Sequence, residues 1–342
     1  MFATLAGGYP SGSPTPPADR DALVREVLAE QVAAGLDLLT DGLVRWDDPL
    51  EPVVRGLDGL EPDPSGARAR PRATRLPTWR GPITVDAWRS AATLPEAAGR
   101  PVKACLVGPY TLGWLVDDGP ERLGREALTL ALAEALNTEL RALAAAGAPV
   151  VQVDEDALTR IGPADDAERS LFRDAARRLT DGVGGHLSLA VTGGSAEAVG
   201  PAALFDLPFA SYLFDLVGGP DNWRLITRAP RERGIVCGVA DARRTDDDHL
   251  ELMVWAAHYA ASTAGRGLER VGLATSGSLA HLPRERAKAK IERLGEAARI
   301  AALGSWQESV KELDPRASDI RSAAFGRYAP PRPVRRRPRP GA

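Results

Sequence analysis

Apolar residues in this chain alternate between short, nearly unbroken runs and longer stretches with helical spacing. The short runs predict strands at Phe2–Gly7, Leu36–Gly42, Val102–Gly108, Pro149–Glu155, His186–Thr192, Ala210–Val217, Gly234–Asp241 and Val271–Thr275. The longer stretches predict helices over Asp19–Ala34, Glu121–Ala146, Asp165–Thr180, Ser195–Leu204, Asp221–Ala229, Asp247–Ala264 and Pro283–Ala302. Ser195 can cap its helix, Pro283 suits a first turn, and Gly35 and Gly147 suit helix ends. Eight strands alternating with helices predict a (β/α)8 TIM barrel over a doubly wound sheet, which carries fewer strands.

Two stretches break the alternation. Residues 49–99 are rich in proline and glycine, with short β-like pieces such as Gly81-Pro82-Ile83-Thr84-Val85, and read as a long insertion after the second strand. Insertions of this length serve as covers over a site or as plain surface excursions. Residues 330–342 are built of arginine and proline, cannot bury a core, and are expected to be disordered. The expected layout is a barrel over 1–304 and an extension over 305–342. A net charge of −3 gives no reason to expect nucleic acid or membrane as a partner. Two cysteines, Cys105 and Cys237, sit inside predicted strands and fit core packing in a reducing cytoplasm.

The ends of barrel strands converge on one face, so candidate chemistry is sought there. Val150 to Val153 runs directly into Asp154, Glu155 and Asp156. Asp154 could receive a substrate ammonium group. Glu155 could act as a general acid or base, since adjacent carboxylates repel and raise a pKa. Asp241 is a third candidate, although beside Arg243 it equally suits a structural ion pair. Gly7 and Gly8 after the first strand would let backbone N–H groups approach a ligand, and Ser276 follows the last strand. Trp114, after the third strand, could stack on a planar ligand or simply cover the barrel end. His281, with Asp215 or Asp241, is the remaining combination that could hold a hard divalent ion, against its plainer reading as an exposed residue before the last helix.

Five segments carry a resemblance. They are Ala6-Gly7-Gly8-Tyr9-Pro10, Asp37 to Gly42, Gly108 to Trp114, Gln152-Val153-Asp154-Glu155-Asp156-Ala157-Leu158 and Gly238 to Arg243, with Leu279 to Leu294 resembling a final barrel helix. In this order the chain resembles the catalytic half of the cobalamin-independent methionine synthases over most of residues 1–304. The resemblance implies methyl transfer from a reduced folate to a thiol activated by zinc, with a tryptophan at the position of Trp114 against the folate ring. It also places Ala190, Thr192, Phe214 and Ser276 where zinc ligands would stand, and Leu43 where a substrate-binding Glu would stand. Thiolate-bound zinc is therefore not expected, and a reduced folate is the co-substrate the resemblance suggests. The leading expectation is a methyltransferase-like enzyme acting on a small molecule. The alternatives are a catalytically silent binding or regulatory barrel and, third, a zinc-dependent homocysteine methyltransferase.

Overall fold

The computed structural model describes residues 1–12, 19–62 and 70–305, with Ser309 and Leu313. The tail expected to be disordered, 330–342, lies outside the described residues, as does most of the extension after 304. The chain is an α/β protein around a curled, seven-stranded parallel sheet. Its strands are β1 (Phe2–Thr4), β4 (Ala104–Val107), β5 (Val151–Asp154), β6 (Leu187–Val191), β7 (Ser211–Asp215), β8 (Gly234–Ala240) and β9 (Val271–Thr275), in the order β1-β9-β8-β7-β6-β5-β4. Helices α5 (Arg125–Ala146), α6 (Asp166–Thr180), α9 (Leu250–Ser262) and α10 (Arg284–Ala301) lie among the connections. Among the described residues no helix is long and apolar enough to cross a membrane.

The unbroken apolar runs follow from burial on both sheet faces. Leu189, Tyr212, Phe214, Ile235 and Leu273 belong to the main core, which the helices share. Alternate positions, Ala190, Leu213, Val236 and Ala274, form a second, smaller cluster with Ala6 on the inner side of the curl. That inner layer is built mostly of small side chains. Gly272 extends the pattern, because a Cβ there would run into the Phe2 ring.

The expected second strand, Leu36–Gly42, is reduced to two bridging residues. Leu38 bridges to Thr4 and Leu39 to Val102, so this segment lies between β1 and β4. The side chain of fully buried Gln31 explains why pairing stops there. Its amide oxygen accepts from Thr40 N at 3.0 Å, and its Nε2 donates to Thr40 O at 2.7 Å. Both backbone groups a ladder would need are already taken. Gln31 belongs to α1 (Arg20–Ala33), whose N-cap Asp19 accepts from Ala22 N at 2.9 Å.

Residues 49–99 hold α2 (Glu51–Gly56), an antiparallel pair β2 (Leu57–Glu61) and β3 (Arg72–Trp79), and α3 (Val85–Ala92). The β-like reading of Gly81–Val85 is corrected: this piece is the entry to α3. Its backbone donors go to a carboxylate instead of a strand partner. Glu139 of α5, fully buried, accepts from Ile83 N (2.9 Å), Thr84 N (2.7 Å) and Val85 N (3.1 Å), and from the Trp79 indole N–H (3.0 Å). One carboxylate thereby caps α3 and fastens the segment to α5.

Other expected helices differ only locally. The stretch from Ser195 splits into a short 3₁₀ turn at Glu197–Val199 and α7 (Pro201–Phe205). Proline at 201 has no N–H to continue a helix, and Gly200 before it sits at φ 85°. The stretch from Glu121 becomes regular helix only at Arg125. Gly147 closes α5 in the left-handed conformation, as its position suggested. An extra short helix, α4 (Pro109–Leu115), follows β4, and the helix expected over Asp221–Ala229 is α8 (Asn222–Arg228), which precedes β8.

Candidate active site

Parallel pairing sets β4, β5 and β6 side by side with their carboxyl ends level, Val107 beside Asp154 and Asp154 beside Ala190. The three consecutive acids leave β5 in three directions and have three different surroundings.

Asp154 points inward. Gln152 Nε2 donates to its Oδ1 at 2.6 Å, and that same amide nitrogen also donates to Ala6 O. Burial, reinforced by the neighbouring Asp156 and Glu155 charges, raises its pKa well above the usual carboxylate range, while the Gln152 bond and the Lys103 ammonium pull it down. Lys103, 3% exposed, donates from Nζ to Leu5 O (2.6 Å) and to Gln152 Oε1 (2.5 Å). The Gln152 amide is thus fixed in one orientation between the buried Lys103 amine and the half-buried Asp154 carboxyl.

Glu155 points to α4, away from the inner side of the curled sheet. Its two oxygens accept from Tyr110 N (3.0 Å) and Thr111 N (2.6 Å) at the start of α4, and the side chain is 2% exposed. Burial pushes its pKa up to about 7, against the pull of those hydrogen bonds. Gly108 has no Cβ because the Glu155 carboxylate fills that space. Asp156 is exposed and accepts from Thr192 N (2.9 Å) and Thr192 Oγ1 (2.8 Å), joining the ends of β5 and β6.

The remaining candidates are dispersed around the rim. Asp241 Oδ1 accepts from Arg243 N (3.0 Å) and lies 3.4 Å from Arg243 Nε. Asp215, 1% exposed, holds the turn after β7 by accepting from Val217 N and Gly218 N. Ser276 Oγ accepts from Ala242 N at 3.0 Å and ties β8 to β9. Gly7 and Gly8 are buried against the loop after β9, where Leu279 N donates to Gly8 O at 2.8 Å and a Cβ on Gly8 would meet Ser278 Oγ at 2.8 Å. His281 is exposed. Trp114 is half-buried on α4 with the guanidinium carbons of Arg125 and Arg160 at 4.4 Å and 5.2 Å from its ring centroid. A flat ligand stacking there would share the indole with these cations.

Asp154 has different companions. It lines a cavity of about 20 Å³ with Leu43, Trp46, Val53, Thr84 and Cys105. Sequence reading did not single out Trp46 and Thr84, which line this cavity, or Lys103, which holds the Gln152 amide beside Asp154. A lysine opening a strand otherwise made of apolar residues was the available signal for Lys103. Leu43 is held at φ 54°, directly after Gly42 at φ 68°, with its N–H donating to Asp41 Oδ1 at 3.0 Å. A bulky residue in the left-handed region costs on the order of 1–3 kcal/mol, and such strain gathers at functional sites.

The donor chemistry does not suit a thiolate–imidazole metal site. Ala190 and Phe214 are fully buried apolar side chains, Thr192 donates to Asp156, and Ser276 Oγ is engaged with Ala242. Among the described residues no group of three or more His, Cys, Asp and Glu is arranged to hold a metal ion. Cys105 and Cys237 are buried free thiols whose pKa values burial raises.

Comparison with known proteins adds three findings. Residues 84–258, just over half of the chain, match the family model described as the N-terminal domain of cobalamin-independent synthase. The motif resemblance had pointed to the catalytic half. The 5-methyltetrahydropteroyltriglutamate–homocysteine methyltransferase of Corynebacterium efficiens is 32% identical over 48% of this chain and 23% of its own length. The protein of that name from Rhodopseudomonas palustris is 35% identical over 55% of this chain and 24% of its own length. The chain spans about a quarter of the length of these curated relatives. A B12-independent methionine synthase from Shewanella sp. W3-18-1, in complex with selenomethionine, superposes with a TM-score of 0.74 at 17% identity, covering 89% of this chain and 98% of that one. At that identity the likeness concerns the fold alone.

Proposed function

The chain belongs to the cobalamin-independent synthase family, and from that premise we propose that it is a methyltransferase-like group-transfer enzyme working without thiolate-bound zinc. Its ligand site is the inner end of β5, between Asp154 and the segment Leu43–Val53, in a barrel completed by the bridging residues Leu38 and Leu39. The observation that carries this reading is the strained Leu43 facing Asp154 across one small cavity. Strain maintained beside a half-buried, proton-binding carboxyl is the signature of a site. Asp154 is the anchor for a substrate ammonium, and a reduced folate is the methyl donor suggested by the relatives' names.

The shift at Asp154 fixes the pH dependence of that anchoring. In the ligand-free protein its raised pKa leaves the carboxyl protonated at neutral pH. An ammonium binds the ionised form, so binding releases a proton and affinity rises as pH is raised above neutrality. Titration calorimetry with L-methionine, whose thioether does not titrate, should show this rise. Asp154→Asn should flatten it and weaken binding by about tenfold or more. Unchanged affinity and slope in Asp154→Asn would remove Asp154 from the site.

Elemental analysis of the purified protein should find no stoichiometric zinc, given the side chains at 190, 192, 214 and 276. About one tightly held zinc per chain would overturn that part of the reading. A second reading is favoured by the cavity itself, because about 20 Å³ holds no more than a water. Under it the protein is a catalytically silent relative with a closed site. Stabilisation by neither L-homocysteine nor a reduced folate in thermal unfolding would select this alternative.

A further inference from the structure

Another cavity is at the opposite end of the sheet. About 550 Å³ opens between the amino ends of the strands, a size that suits a small molecule. It is lined on the inner side of the curl by Leu213 and Val236, beneath the small layer of Ala6, Ala190 and Ala274. The walls carry polar groups: Thr4, Ser188 and Ser211 are each at most 6% exposed. Ser211 Oγ shares a 2.8 Å hydrogen bond with His186 Nε2 at the mouth.

Lys103 lines the inner part of this cavity. Two of its three N–H bonds go to neutral oxygens, Leu5 O and Gln152 Oε1, and among the described residues no carboxylate lies within ion-pair distance of Nζ. Burial without a direct counter-charge lowers the Lys103 pKa, and a bound anion would favour its charged form. The rim has the opposite character. Asp37, Glu232 and Glu269 are exposed there, and the rim cation Arg270 is engaged with Arg231 O at 3.2 Å. The field therefore runs from positive inside to negative at the opening.

We propose that the amino-terminal mouth binds a small zwitterion of the ω-amino acid type, carboxylate inward toward Lys103 and ammonium among the rim carboxylates. The site opens at the other end of the strands from the one at the carboxyl end of β5, meets it at Lys103 and Gln152, and does not depend on the methyltransferase reading. The polar walls orient the carboxylate through Ser188, Ser211 and His186. A dianion is disfavoured by the acidic rim, and a simple amine by Lys103.

Titration calorimetry on the full chain with γ-aminobutyrate, butyrate and butylamine tests this assignment. The expected result is binding of γ-aminobutyrate, butyrate weaker by a few-fold because an exposed rim pair contributes little, and no binding of butylamine. Lys103→Met should weaken γ-aminobutyrate by at least about tenfold. Ser188→Leu, which fills the cavity from β6 and leaves Lys103 in place, should abolish binding even if the lysine variant fails to fold. The proposal is wrong if γ-aminobutyrate does not bind, if butylamine binds as well as it does, or if Ser188→Leu binds like the unmodified chain.

Discussion

Replacing Glu139 by alanine should lower the unfolding free energy by about 3–5 kcal/mol, measured by urea denaturation at neutral pH. The cost follows from what the side chain holds. Three consecutive backbone N–H groups, the Thr84 hydroxyl and the Trp79 indole N–H all point at one buried carboxylate. Removing it strands these donors in a space closed to water, and each stranded group costs about 1–3 kcal/mol unless the segment moves to find a new partner. Relaxation of the segment toward water limits the total. Glu139→Gln keeps one acceptor oxygen and should lose clearly less. Hydrogen exchange should locate the damage at residues 79–88, with α6 protected as before. A loss under about 1 kcal/mol would mean that water replaces the carboxylate without penalty.

Glu155→Ala should cost about 2–4 kcal/mol near pH 6, because Tyr110 N and Thr111 N lose their buried acceptor at the start of α4. This residue also carries a pH signature. Its pKa rises from 4.5 to about 7 on folding, so the folded state binds the proton more tightly. The resulting stability is fully present below about 4.5 and is lost as pH rises to about 7, a change on the order of 3 kcal/mol. Glu155→Gln holds the neutral shape and should remove that slope between pH 5 and pH 8. If the Gln variant retains the slope, another group titrates. A flat profile in the unmodified chain would instead mean that the two N–H bonds offset burial completely.

These two glutamates mark where sequence reasoning ended. Strands β5, β6 and β9 were legible because parallel strands buried on both faces require continuous apolar runs, and those runs stop where burial stops. The second strand was misjudged because a side chain, Gln31, satisfies the backbone of Thr40, and no local pattern records a partner nine residues away. The entry to α3 was missed for the same reason, its carboxylate standing more than fifty residues along the chain. Asp154, Glu155 and Asp156 were conspicuous as a cluster, but their division of labour was hidden. Which acid faces the barrel centre, which caps a helix and which braces a neighbouring strand depends on side-chain direction at the end of β5. Trp46 and Thr84 gave no signal that they line the cavity beside Asp154, because neither is on a strand and Thr84 is held in place by Glu139.

The pairing of β1 has a consequence for how the chain acquires its structure. Phe2, Ala3 and Thr4 are in register with Gly272, Leu273 and Ala274, so β1 has its ladder partner about 270 residues further along the chain. During translation β1 must wait, its apolar side chains unpaired, until β9 has left the ribosome. The bridge from Thr4 to Leu38 is the early contact open to it, and Gln31 restricts how far that contact can grow. Closure between β1 and β9 spans almost the whole described chain, which makes it entropically slow and places it late in folding. The nascent chain therefore passes through an open sheet whose β9-facing edge is exposed, the stage at which chaperone binding or misassociation between chains competes with completion of the fold.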